Sequence, residues 1–238
     1  MTESKEHDNN HWQTLQHIST HWTAIENPAR FVTRYGSAVR AYLRALLPSR
    51  DDADEVEQEF LLQVVAQGFP TAAPGRGHFR HYLIAIVRNA AWSHLRRQNR
   101  RPSLTPDLSH IAEESRADDE WQRTWRECVL RSAWNALRDH QKRVRGNLCH
   151  TVLKAYVDYP QEDSVTLAER VTRSTKQPLT AEAFRKQLSR ARRRFAELLV
   201  EEVARTISNV TPELLDEELR ELDLLKYVEA HRPLADER

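Results

Sequence analysis

The sequence predicts an all-α protein of two helical domains joined by a linker, the second carrying a helix-turn-helix. Three observations predict it. Glycine is scarce, at 5 of 238 residues, while Ala, Leu, Glu and Arg abound, a composition that favours helix. Apolar residues recur every three to four positions over most of the chain, and the alternation expected of strands is weak throughout. The stretch from Gln98 to Asp118 (QNRRPSLTPDLSHIAEESRAD) breaks that periodicity with Pro102, Pro106 and small polar residues, as a linker does.

Each helix follows from its own spacing. Trp12, Leu15, Ile18, Trp22 and Ile25 mark a first one, and Phe31, Tyr35, Val39, Tyr42, Leu43 and Leu46 continue the pattern to Pro48. Asp51 or Asp52 can cap the next, whose stripe is Val56, Phe60 and Val64, reaching toward Phe69. Pro70 to Gly77 reads as a loop. A long helix then starts near Phe79, with Phe79, Leu83, Ile86 and Ala90 as its buried stripe. Beyond the linker, Trp121, Trp125, Val129, Ala133 and Leu137 share one face, and Leu148, Val152 and Tyr156 mark a further helix stopped by Pro160. Ser164 can cap a short helix over Val165 to Thr172. Thr180 sits where a cap belongs, with Glu182 in the first turn, and Phe184, Leu188, Ala191, Phe195 and Leu198 follow on one face. Thr211-Pro212 opens the last helix, threonine as cap and proline at the first position. The domains are expected at 1–101 and 119–238, with the linker at 102–118.

Hydrophobic residues make up 39% and charged residues 30% of the chain, which supports cores of modest size. The longest apolar run, Leu83 to Val87, cannot span a membrane, and the polar start MTESKEHDNN is unlike a signal peptide, so a cytoplasmic location is expected. Cys128 and Cys149 have no metal-ligand spacing around them and read as two buried reduced thiols; no metal or cofactor is expected. His78, His81, His94, His110, His140 and His150 show no pairing of a catalytic kind. There is no phosphate loop, no GxSxG and no HExxH, so no enzyme is motivated.

Charge carries the functional signal. The formal net charge is only +1, yet the charges lie in opposed blocks. Residues 51–59 hold six acids and no base, 76–101 seven arginines and no acid, and 185–194 six bases and no acid; residues 198–238 hold eleven acids against five bases. A solvated helix face usually mixes both signs. A face that excludes acids over 26 residues suits a phosphate backbone. On the Phe79 helix, Arg88, Trp92 and Arg96 share a face, with Asn89, Ser93, Arg97 and Arg100 beside it. Arginines can neutralise phosphates, the amide can read a base edge, and the ring can stack on an unpaired base. The second basic block follows a short helix (VTLAERV), the order of a helix-turn-helix. Thr180, Glu182, Arg185, Lys186 and Ser189 would enter a major groove, while Arg190, Arg193 and their neighbours suit phosphates.

These residues resemble a known family. FRHYLIAIVRNAAWSHLRR resembles region 2 of bacterial sigma factors of the extracytoplasmic-function (ECF) class, sigma-70 family, in Phe79, Arg80, Tyr82, Leu83, Arg88, Asn89, Leu95, Arg96 and Arg97. DADEVEQEFLLQV resembles the family's acidic segment in Asp52, Ala53, Asp54, Glu55, Gln58 and Glu59. The second basic block resembles region 4, with Ala168 as the small residue of the first helix and Leu188, Arg190, Ala191 and Arg192 in the recognition helix. The chain departs from the pattern at Ser93, where the family often has an acid, in the order of Asp54 and Glu55, and in a longer turn at 174–179. The resemblance spans about 28–101 and 120–231. Residues from Leu199 on are similar to a subgroup whose recognition helix runs into an acidic tail.

The resemblance implies a sigma factor that directs promoter recognition and transcription initiation. Asp52, Asp54, Glu55, Gln58 and Glu59 would dock on core RNA polymerase. Phe79, Arg80, Arg88, Asn89, Trp92, Arg96, Arg97 and Arg100 would hold the opened −10 strand of promoter DNA. Thr180, Glu182, Arg185, Lys186, Ser189, Arg190 and Arg193 would bind the −35 duplex, with the polymerase flap nearby. An anti-sigma factor is a further candidate partner, and no membrane is implied. The alternative is a stand-alone helix-turn-helix regulator that does not bind polymerase, or an RNA-binding or protein-interaction module on the same helices. Leu214, Leu215, Leu219, Leu222 and Leu225 suggest that the tail packs on the second domain, where its acids could screen the basic recognition face.

Overall fold

The computed structural model describes residues 27–69, 78–98 and 108–231, with side chains from Glu114 onward in the last stretch. The expected helix at Trp12–Ile25, the loop 70–77 and Arg100 lie outside these residues. Eight α-helices form among the described residues: α1 Pro28–Leu46, α2 Arg50–Gln67, α3 Phe79–Arg97, α4 Leu108–Arg143, α5 Cys149–Asp158, α6 Ser164–Thr175, α7 Ala181–Ala204 and α8 Pro212–Glu221. Two single 3₁₀ turns follow, at Leu225–Tyr227 and Glu229–His231. The β-structure among these residues is one isolated antiparallel bridge, His78 to Ile207.

The helix starts show why each begins where it does. Asn27 accepts from the Arg30 N–H, with Pro28 inside the first turn of α1. Ser49, rather than Asp51 or Asp52, caps α2 by accepting from the Asp52 N–H, and Asp163, rather than Ser164, caps α6. Thr180 accepts from the Ala183 N–H and Thr211 from the Leu214 N–H, as expected. Gly68 ends α2 at φ 78°, a conformation that L side chains rarely adopt. Lys176 ends α6 in the left-handed region, so the turn before α7 runs from Lys176 to Thr180 and residues 174 and 175 belong to the helix.

The chain divides into two compact units. The first holds the residues to Val129 together with Val203–Leu224; the second holds Leu130–Glu202 and Leu225 onward. Chain from Leu108 to Asp118, expected as linker, is helical and opens α4. Val203–Leu224, expected within the second domain at 119–238, belongs instead to the first unit, and with it Leu214, Leu215, Leu219 and Leu222 of the tail; Leu225 falls in the second unit.

In the first unit α1 packs on α2 and α3, and α2 on α3. The core is aromatic. Tyr35 stacks on Trp125 at 4.3 Å between ring centroids, Tyr42 meets Trp121 edge-on, and Phe79 meets Phe31 and Phe69 edge-on. Leu83, Val87 and Ala91 continue below Phe79, so the buried stripe of α3 runs one position away from the expected Ile86 and Ala90. Ile207, Leu215, Leu219, Leu222 and Leu224 are also buried.

In the second unit α5 packs on α6. Leu137, Val152, Leu167, Val171, Phe184 and Leu199 are buried, and Trp134 packs against Phe195 at 5.1 Å. Both cysteines are buried thiols outside any disulfide: Cys128 Sγ lies 3.2 Å from Ser37 Oγ in the first unit, and in the second Cys149 Sγ donates to the Leu137 carbonyl while burial pushes its pKa up. Among the described residues no helix is long and apolar enough to cross a membrane.

Candidate nucleic-acid interface

α3 carries the first basic block, and the structure sorts its residues by what they touch. Phe79 is in the core, wholly inaccessible. Arg80 is also buried. Its Nε lies 3.1 Å from Glu218 Oε1 and its Nη2 3.2 Å from Glu218 Oε2, and Nη2 also meets Glu221. His78 Nδ1 lies 2.8 Å from Glu218 Oε2, within ion-pair reach though not aligned as a hydrogen bond. Glu218 itself is 0% exposed. Burial raises its carboxyl, but His78 and Arg80 overcome that and hold it down at about 2.

Midway along the helix Arg88 donates from Nε to the Tyr42 hydroxyl at 2.7 Å and from Nη2 to Asp118 at 2.7 Å. Near its end, His94 Nε2 lies 3.3 Å from Asp52 Oδ1, and the Gln98 amide donates to the same carboxylate. Asp52, His94 and the exposed Glu55 bring possible ligand atoms within 4.8 Å of one another; the Asp52–His94–Gln98 contacts already partner the buried pair. What remains outward is Asn89 and Arg96, both exposed, with Trp92 and Ser93 half-buried beside them. Arg96 donates to Ser93 Oγ, and Arg97 reaches Glu59 across an exposed pair. Such a pair is worth at most about 1 kcal/mol, so Arg97 is readily diverted to a phosphate.

The acidic face of α2 splits in the same way. Asp52 and Glu57 are buried, Asp52 against His94 and Glu57 against Arg40 at 2.8 Å. Asp54, Glu55, Gln58 and Glu59 are exposed, with Asp54 paired to Arg44. Leu62 and Val65 stand exposed one and two turns on, and with Val32, Leu61 and Gln58 they line an open groove of about 630 Å³.

In the second unit, α6, the turn and α7 follow one another in helix-turn-helix order. Thr180, Glu182, Arg185, Lys186, Ser189, Arg190 and Arg193 are all exposed. Lys186 pairs with Glu182, and Arg193 with Glu197. Arg185 and Arg190 have no ion pair among the described residues. Arg192 lies over the Tyr156 ring at 4.3 Å, and Arg194 is held by Glu197 and Glu201.

The comparisons with known proteins speak to the first unit. Residues 31–101 match the family model of sigma-70 region 2. That stretch takes in nearly all of α1, all of α2 and α3, and ends at the last arginine of the first basic block. No curated protein and no solved structure matches the chain. The sigma-70 region 2 match thus covers both the acidic helix and the arginine-rich helix, and implies interaction with core RNA polymerase. The second basic block and the tail lie outside it.

Sequence reasoning missed the internal partners of the basic helix: Tyr42, Asp118, His78, Glu218 and Glu221. One signal pointed toward them. A helix whose first turn holds Arg80 and His81 and no acid needs negative charge from elsewhere, and the tail is the most acidic stretch that remains.

Proposed function

We propose that the protein is a sigma factor of the ECF class, which docks on core RNA polymerase, recognises promoter DNA and holds its opened strand. The match of residues 31–101 to sigma-70 region 2 carries this reading. Docking is assigned to the exposed part of α2: Asp54, Glu55, Gln58 and Glu59, with Leu62 and Val65 as the apolar centre beside the charges. The opened −10 strand is assigned to Asn89, Trp92, Arg96 and Arg97, with Arg100 beyond them; Phe79, Arg80 and Asp52 act from inside the fold. The −35 duplex is assigned to α6 and α7 through Thr180, Glu182, Arg185, Lys186, Ser189, Arg190 and Arg193. A cytoplasmic location and control by an anti-sigma factor accompany this reading.

The mechanism involves no covalent step. Binding energy for an unpaired strand, on the order of 1–3 kcal/mol for each stacked base, favours the opened promoter over the duplex. Arginines supply the sequence-independent, salt-sensitive part. Transcription from genomic fragments with purified core polymerase, with and without the chain, tests the function. Discrete start sites that appear only with the chain are expected; identical start sites with and without it overturn the reading. Charge reversal at Asp54, Glu55 and Glu59 separates the stand-alone regulator, which would keep its activity, from a sigma factor, which would lose core binding.

A further inference from the structure

α3 begins with little help from its own neighbours. Its cap residue, His78, makes no side-chain capping bond, and its first turn holds no acid but does hold Arg80 and His81. The positive charge of Arg80 there opposes the positive end of the helix dipole, and the first backbone N–H groups need partners. The partners come from the far end of the chain. The Phe79 N–H donates to the Thr206 carbonyl at 2.8 Å, and His78 pairs with Ile207 as a one-residue bridge. Glu218 then takes both arms of Arg80 and faces His78, while Glu221 meets Arg80 and lies 3.5 Å from His81. The supporting segment is no surface strap: Leu219, Leu222 and Leu224 are fully buried, the Gln122 amide donates to the Glu221 carbonyl, and Arg126 pairs with Asp223.

A two-armed arginine contact at the first turn does more than neutralise charge. A bidentate fork has one favourable orientation, so it fixes the rotation of α3 about its own axis as well as its start. A rotation of about 20° would move an atom roughly 5 Å from the axis by nearly 2 Å, enough to break a hydrogen bond at the outer face. We propose that Glu218 is a positioning residue for promoter opening: from the C-terminal tail it sets the start and rotation of α3, so that Asn89, Trp92 and Arg96 face the unpaired strand together. This rests on the reading of α3 as the helix that holds that strand. It reverses the role expected of the tail: its acids support the strand-holding helix rather than screening a DNA-binding surface.

The two roles predict opposite outcomes. The test uses the full chain bound to core polymerase, a fork-junction DNA whose single-stranded part carries the −10 sequence mapped from the start sites, and a blunt duplex carrying only the −35 sequence. Glu218→Gln, checked for folding by circular dichroism, is expected to bind the fork junction at least tenfold more weakly while its affinity for the −35 duplex stays within twofold. Glu218→Asp, which keeps the charge, is expected to recover part of that loss. Fork-junction affinity that is unchanged overturns the proposal, affinity that rises establishes screening instead, and an equal loss on both probes reduces Glu218 to a general structural role. Should Glu218→Gln be unfolded at the assay temperature, the half-exposed Glu221→Gln takes its place, with about a threefold loss on the fork junction expected and no loss overturning the proposal. If the wild-type chain neither binds core polymerase nor directs start sites, it is the sigma-factor reading that has failed.

Discussion

Glu218 engages Arg80 through both carboxylate oxygens across 138 residues of chain, and both side chains are buried. Replacing one partner alone strands the other charge. Glu218→Leu is expected to cost about 3–5 kcal/mol of unfolding free energy, because Arg80 keeps its charge without its main acceptor. Arg80→Met combined with Glu218→Leu is expected to recover most of it, since an apolar pair of similar volume is often as stable as a buried ion pair. Urea unfolding of the two single variants and the double variant measures the coupling. Additive losses would show that the two residues act separately.

The same network sets a pH dependence. Glu218 is held at about 2 against an ordinary 4.5, so its contribution is complete above 4.5 and fades as the pH falls toward 2. The Glu218 carboxylate, opposed by burial, raises His78 above its ordinary 6.5, so that contribution is complete below 6.5 and fades as the pH rises through the raised value. His81, lowered by burial and by Arg80, works the other way and subtracts stability as the pH falls below 6.5. The difference in unfolding free energy between the wild type and Glu218→Gln is therefore expected to be largest between about 4.5 and 6.5 and to shrink on both sides. Denaturant titrations across pH 3 to 9 would show it as a hump; a flat difference contradicts the assignment.

The sequence made the helices legible because most of them bury a regular stripe. Trp121, Trp125, Val129, Ala133 and Leu137 are all buried, as are Phe184, Leu188, Ala191, Phe195 and Leu198. On α3 the stripe was misplaced from Val87 and Ala91 to Ile86 and Ala90, because Arg80 and His94 are polar yet buried, and hydropathy puts such residues outside. The excess of arginine in 76–101 was visible, but part of its meaning was not. Arg80, Arg88 and Arg97 meet Glu218, Asp118 and Glu59, all distant in sequence, so some of the missing acids are supplied within the first unit. Asp52 illustrates the same limit: nothing in its own neighbourhood shows that it faces His94. The tail's leucines announce burial, but their spacing suggests the second domain, whereas Leu215, Leu219 and Leu222 are buried in the first unit.

Arg88 and Arg96 share a helix face in the sequence, and the structure separates them. Arg88 is held by Tyr42 and Asp118, whereas the described contact of Arg96 is a hydrogen bond to Ser93. Arg88→Ala is expected to cost about 1–3 kcal/mol of stability through its lost charged hydrogen bonds. Arg96→Ala is expected to leave stability within about 0.5 kcal/mol and to lower the slope of log affinity against log salt by about 0.7–1, one phosphate contact. Fork-junction binding over a series of salt concentrations, beside thermal melts, separates the two effects. An unchanged salt slope for Arg96→Ala would remove it from the interface.

The arginines of α7 divide by the same reasoning. Arg185 and Arg190 are exposed without an ion pair among the described residues, while Arg192 lies over the Tyr156 ring. A guanidinium on an aromatic face is worth about 0.5–1 kcal/mol at an exposed site, so Arg192→Ala is expected to lower the stability of the second unit by about that much. Arg185→Ala and Arg190→Ala are expected to leave its melting unchanged and to weaken binding to the −35 duplex. Their effects should differ in kind. Under the proposed helix-turn-helix role, Arg185, near the helix start, would read base edges, so its loss should relax sequence preference. Arg190, a turn and more further on, should weaken all sequences alike and reduce the salt slope by about 1. Competition between promoter and scrambled duplexes for each variant checks this, and a uniform loss for both variants would assign Arg185 to the phosphates as well.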